Sequence, residues 1–143
     1  MSTEKNKDVT RRWYEEVFNA GNLELINELF ATSFVEHDPS NPLPGLEGVK
    51  QLVTMYRSGF PDLHLTIEDW IAEGDKVAAR FTAWGTHKGL LMGIPPTGKQ
   101  ATVTGIDILR FENGKITEHW GNQDLLGMMQ QLGVIPALSL IHI

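Results

Sequence analysis

The sequence predicts an α+β fold, with helices in the first half and antiparallel strands in the second. Three observations carry this. Apolar residues recur at helical spacing up to about residue 58, and beyond residue 62 they alternate with period two. Asn113-Gly114 then joins two of the alternating runs, and Asn-Gly between such runs is a strong signal for a two-residue hairpin. Helices followed by antiparallel strands imply a curved sheet folded over helices.

Val9, Trp13, Tyr14, Val17 and Phe18 share one helical face and predict a first helix over about Glu4 to Ala20, closed by Gly21. Asn22 can cap a second helix with the stripe Leu23, Ile26, Leu29 and Phe30. His37 to Gly45 holds three prolines and is expected to be a loop. Val49, Leu52, Val53 and Tyr56 predict a third helix over Leu46 to Ser58. Leu63 to Glu73 is expected to be a strand with Leu63, Leu65, Ile67 and Ile71 on one face, turning at Gly74-Asp75 into a return strand over Lys76 to His87. Lys88 to Lys99 is a loop by its glycines and prolines. Two strands follow, about Gln100 to Phe111 and Lys115 to Gln123, and then a short helical piece over Leu125 to Gly133. There is no internal repeat and no linker, so residues 1–137 are expected to form a single domain.

The bulk numbers narrow the partners. The chain has 143 residues, a net charge of −6 and a sequence pI of about 5.3. An acidic chain without a basic stripe is not expected to bind nucleic acid or an anionic membrane. It has no cysteine, and its polar N-terminal stretch lacks the apolar run of a signal peptide, which suits a cytoplasmic protein. Five histidines occur, but none at the H-x-x-x-H spacing of a helical zinc site, so no metal and no cofactor are expected.

The candidate chemistry lies in the last hairpin. With Asn113-Gly114 as its turn, a regular ladder sets Phe111 opposite Ile116, Leu109 opposite Glu118, and Asp107 opposite Trp120. Asp107, Glu118, Trp120 and Asp124 would then share a face with Leu109, Phe111 and Ile116, while His119 would face away. Acids among apolar and aromatic walls have their charged form disfavoured, which suits acid/base chemistry. The alternative is that Asp124 caps the helix beginning at Leu125, with Asp107 and Glu118 facing solvent.

"GTHKGLLMGIPPTGK" (Gly85 to Lys99), "GIDILRFENGKITEHWGNQDLLGMMQQLG" (Gly105 to Gly133) and "NAGNLELINELFATSFVEHDP" (Asn19 to Pro39) together resemble the SnoaL-like polyketide cyclases, or ester cyclases, of the nuclear transport factor 2-like superfamily. The resemblance implies a cone, with a strongly curved, mostly antiparallel sheet wrapped around three N-terminal helices. It implies intramolecular aldol closure, or a related proton transfer α to a carbonyl, on a small hydrophobic carbonyl substrate. It also implies a homodimer. The fold hosts non-catalytic small-ligand-binding proteins and epoxide hydrolases as well, and these are the alternative functions.

In this resemblance Asp124 matches the general acid/base at the end of the E-H-W strand. The family pairs that aspartate with a histidine on the neighbouring strand, close to the position of Asp107, where this chain has none. His87 and His37 are the candidates to compensate. The expected catalytic set is therefore Asp124, Asp107 and His87, and the expected substrate contacts are Trp120, Asn122, Phe18, His37 and Glu118. The last six residues, Leu138 to Ile143, match the in-frame translation of a transposon-end adapter used in DNA library preparation. They are expected to be a non-native tail in which His142 has no role.

Overall fold

The computed structural model describes residues 2–136; the expectation for Leu138 to Ile143, His142 included, falls outside them. Helix α1 (Thr3–Arg12) opens on Ser2, whose hydroxyl accepts from the Lys5 amide at 3.1 Å, satisfying one donor that a helix start leaves unpaired. It runs on into a π-helical segment, Trp13–Asn19, that buries Trp13, Tyr14, Val17 and Phe18 together. Helix α3 (Gly45–Gly59) closes the end of this segment. Arg57 Nη1 donates to the carbonyls of Phe18 and Asn19 at 2.6 and 2.9 Å. Gly21 turns the chain there at φ +77°, and a Cβ on it would lie 2.9 Å from Arg57 Nε.

Helix α2 (Leu25–Leu29) is shorter than its stripe predicts. Phe30 is already extended and begins β1 (Phe30–Glu36), a strand that the sequence reading does not contain. The reason is an ambiguity of spacing: Phe30 and Phe34, both buried, stand four apart, and that spacing repeats a face in a strand as well as in a helix.

The remaining strands are β2 (His64–Glu73), β3 (Lys76–Thr86), β4 (Gln100–Glu112) and β5 (Lys115–Gln123), with α4 (Leu125–Gln131) last. All five strands form one sheet in the order β1-β5-β4-β3-β2. Only the β1–β5 pair is parallel; the other three are antiparallel. This is the expected α+β architecture, with the first helices packed on one face of the sheet. Their contact is aromatic: Trp13 meets Phe18 and Phe30 edge-on, with ring centroids 4.7 and 4.9 Å apart.

Two β-bulges alter the expected faces. In β2 the register skips Glu68 between Ile67 and Asp69. Trp70 then packs on the core, and Ile71, expected inside, is 70% exposed. In β5 Phe111 pairs with Ile116 but Arg110 pairs with Glu118, so Thr117 is the extra residue. An extra residue reverses the alternation beyond it. Leu109 therefore faces His119, Ile108 faces Trp120 and Asp107 faces Gly121. The expected pairs Leu109–Glu118 and Asp107–Trp120 are displaced by one. His119 joins Asp107 on the inner face, and Glu118, Trp120 and Asn122 turn to the outer one.

Because Thr117 is the inserted residue, deleting it should leave Phe111 opposite Ile116 and Leu109 opposite His119. A folded variant with His119 still shielded from solvent is expected. Hydrogen–deuterium exchange across β5 checks it, and loss of protection over Ile116 to Gln123 would contradict this account of the ladder.

Candidate active site

A cavity lies between the helices and the inner face of the sheet. Most of its wall is apolar and aromatic, including Trp13, Phe18, Phe60, Leu65, Phe81 and Met128. Its polar lining comes from Asp38, Asn41, Tyr56, Asp107, His119 and Gln123, and exposed Asn122 borders it. Its open space is about 90 Å³. An apolar wall with few and convergent polar groups is the usual lining of a small-molecule site.

Its chemistry centres on His119. The imidazole Nε2 lies 2.7 Å from Asp107 Oδ1, and Nδ1 lies 2.5 Å from Glu36 Oε2. The parallel pairing of β1 with β5 sets Glu36 beside His119, and the His37 amide donates to the His119 carbonyl at 2.9 Å. Each carboxylate has further donors. Tyr14 Oη donates to Asp107 Oδ2, and Glu36 accepts from Asn41 Nδ2 at 3.2 Å and from the Asp38 amide at 3.1 Å.

Burial by itself opposes a charge on His119, but hydrogen bonds to Asp107 and Glu36 and the charges they carry outweigh it. The imidazole pKa is pushed up from 6.5 to about 10. His119 is thus an imidazolium at neutral pH, donating from both nitrogens. Tyr14 is held well above the usual phenol range, first by burial and then by the charge of Asp107, so it stays a neutral donor.

Gly121 explains how the Asp107–His119 bond fits. It stands opposite Asp107, and a Cβ there would lie 2.6 Å from Asp107 Oδ1 and 2.8 Å from His119 Nε2. Only a residue without a side chain leaves room for the bond. A glycine in mid-strand is the sequence signal that marks this spot. Glu36 gave no such signal, because its strand was not foreseen.

The expected site residues divide. Asp107 and Phe18 line the cavity, and Asn122, itself exposed, borders it. Asp124 does not line it: it is exposed and caps α4, its Oδ1 accepting from the Gly127 amide at 2.9 Å. Here the helix-cap alternative describes the geometry. Trp120 and His37 stack on each other on the outer side, ring centroids 4.7 Å apart and nearly parallel at 7°. Glu118 pairs with Arg110 and lies 2.9 Å from His37 Nε2. The bulge at Thr117 puts these outer residues beyond the cavity wall. His87 is fully buried away from the cavity lining, and its Nδ1 accepts from the Thr97 amide at 3.2 Å, pinning the loop that follows β3. Among the described residues no cluster of three or more His, Cys, Asp or Glu could hold a metal ion. Nor is any helix among them long and apolar enough to cross a membrane.

The curved sheet over helices, with a carboxylate–imidazolium pair on the wall of an apolar cavity, is the arrangement of a nuclear transport factor 2-like fold. The chain belongs to the SnoaL-like polyketide cyclase family, whose model matches residues 8–132. It is 31% identical over 132 residues to the aklanonic acid methyl ester cyclase DnrD of Streptomyces peucetius, across 88% of this chain and 89% of that one. It is 30% identical over 124 residues to the nogalonic acid methyl ester cyclase of Streptomyces nogalater, across 81% and 89%. Among solved structures, TsrD from Streptomyces laurentii superposes with a TM-score of 0.86 at 30% identity, covering 94% of this chain and 99% of that one.

The raised pKa gives a signed prediction. A histidine that is at 6.5 when unfolded and about 10 when folded contributes stability that is full below pH 6.5 and is lost as pH rises through about 10. Wild-type stability in denaturant should therefore decline between pH 7 and 10, and His119→Gln should flatten that slope. Glu36→Gln should lower the His119 pKa, read from its ring-proton NMR shifts. An imidazole that titrates near 6.5 in the wild type would overturn the assignment.

Proposed function

We propose that this protein closes a ring in a polyketide-type substrate by intramolecular aldol addition. The observation that carries the reading is the 2.7 Å Asp107–His119 bond on the wall of an aromatic cavity. Asp107 is the acid/base. It takes the proton from a carbon α to one carbonyl, the resulting enolate carbon bonds to a second carbonyl carbon, and the π pair moves onto that oxygen. Asp107 then returns its proton to the alkoxide. Every atom of the substrate is kept: a C–H and a C=O become a C–C and an O–H.

His119 is the fixed positive charge beside this exchange. Because Glu36 holds its other nitrogen, it remains an imidazolium when Asp107 becomes neutral, and it stabilises the oxyanion that forms. The aromatic walls hold one folded conformer of the substrate, which supplies the proximity that an intramolecular step needs. On this reading the proton transfers use side chains alone, with no metal or organic cofactor. The acid and the histidine occupy exchanged strands relative to the family pattern: the carboxylate comes from β4 and the imidazole from β5. The related cyclases named above support a methyl ester of a polyketide-type acid as the substrate class. Exposed Ile106, Ile108 and Trp84 on the sheet support the expected homodimer.

The test is conversion of aklanonic acid methyl ester, followed by chromatography. Asp107→Asn should keep the fold and reduce the rate by about 10²- to 10⁴-fold, the usual contribution of a positioned acid/base. Asp124→Asn should leave the rate within about twofold. A fast Asp107→Asn enzyme would sink the proposal, and a dead Asp124→Asn enzyme with an intact fold would return the role to Asp124.

A further inference from the structure

The cavity has a second polar pair that the proton transfer does not use. Gln123 is on the inner face of β5, four residues beyond His119, and Tyr56 reaches it from α3. Gln123 Nε2 donates to Tyr56 Oη at 3.0 Å. The phenol is therefore the acceptor in this bond, and its own hydrogen is left over. Among the described residues that hydrogen has no acceptor within hydrogen-bond distance. Asp38, also on the cavity wall, has its Oδ1 occupied by the Ser40 amide and hydroxyl, at 2.9 and 2.7 Å. Tyr56 is mostly buried, and burial raises its pKa despite the opposing bond from Gln123, so it remains a protonated donor.

We infer that Tyr56 and Gln123 form a distal subsite, in which the Tyr56 hydroxyl donates to a carbonyl oxygen on the far part of the substrate. A donor whose oxygen is already engaged by an amide is oriented, so its free hydrogen has a fixed direction. Four residues of extended strand separate the Cα atoms of His119 and Gln123 by about 13 Å. A ligand that meets both groups carries two acceptors, one for each. Phe81, Ala83 and Val103 line the same cavity and offer contact without polarity. Tyr56 thus selects substrates by a second oxygen, while Asp107 and His119 act on the first. This inference rests on the proposed cyclase reading for the reaction but not for the binding.

Binding without turnover separates the two. The probes are 2-acetylnaphthalene and 2-isopropenylnaphthalene, which share a shape and differ by a carbonyl oxygen in place of a methylene. Wild-type protein should bind the ketone about five- to tenfold more tightly by fluorescence titration, the ratio that one net hydrogen bond supplies. Tyr56→Phe should bring the ratio to about one, and Gln123→Leu should reduce it by loosening the phenol. In turnover of aklanonic acid methyl ester, Tyr56→Phe should raise KM with little change in kcat. A wild-type ratio near one, or a ratio that survives in Tyr56→Phe of unchanged melting temperature, overturns the distal subsite whether or not the protein is a cyclase. A ratio lost in Tyr56→Phe while no ester is ever converted leaves the subsite standing and removes the cyclase reading.

Discussion

The buried imidazolium of His119 is the constraint on which the rest of the site depends. A charge in an apolar interior is costly unless it is paired and fully hydrogen-bonded. Two carboxylates from two different strands meet that requirement. Asp107 comes from β4 and Glu36 from β1, so the group ties three adjacent strands together at one point. Tyr14 extends the tie to the first helical segment. The one parallel pairing in the sheet exists at this point, where β1 lies along β5. Loss of either carboxylate would leave an incompletely paired charge rather than a simple gap.

The triad carries two negative charges against one positive, and burial of such groups does little for stability when compared with well-packed apolar residues. The surrounding core is otherwise conventional, with Val17, Val53, Ile26 and Ile116 wholly buried and no charge among them. The polar groups sit on the cavity wall, where a ligand can reach them, and they are braced from behind by Asn41, Tyr14 and the Asp38 amide. That bracing holds Asp107 and His119 in one geometry.

Much of this was legible in the sequence. Helical spacing located α1 and α3, and the Gly74-Asp75 and Asn113-Gly114 turns located the hairpins within a residue or two. Asp107 and Phe18 were picked for the cavity by alternation along β4 and helical phase, and both line it. What failed was alternation carried across Thr117 and Glu68. A bulge adds one residue without changing composition, so periodicity alone does not reveal it. Trp120, Glu118 and Asp124 were assigned inward on that unbroken count, and His119 outward. Glu36 was invisible for another reason: the apolar spacing of β1 fits a helix equally well, and the parallel pairing that makes Glu36 matter joins residues more than eighty apart.

The bulge in β5 gives strand length the character of a parity bit. Every inner position after Thr117 is odd-numbered, and one further insertion between Thr117 and Gln123 would invert the message downstream of it. Two insertions would restore it. Substitution of single residues explores such a site gently, whereas a single insertion beyond Thr117 would swap the lining of one wall for its back. Drift within this strand should therefore favour indels in compensating pairs, and a designer wishing to replace the cavity's chemistry outright could do so by moving a frame of reference rather than by rewriting side chains.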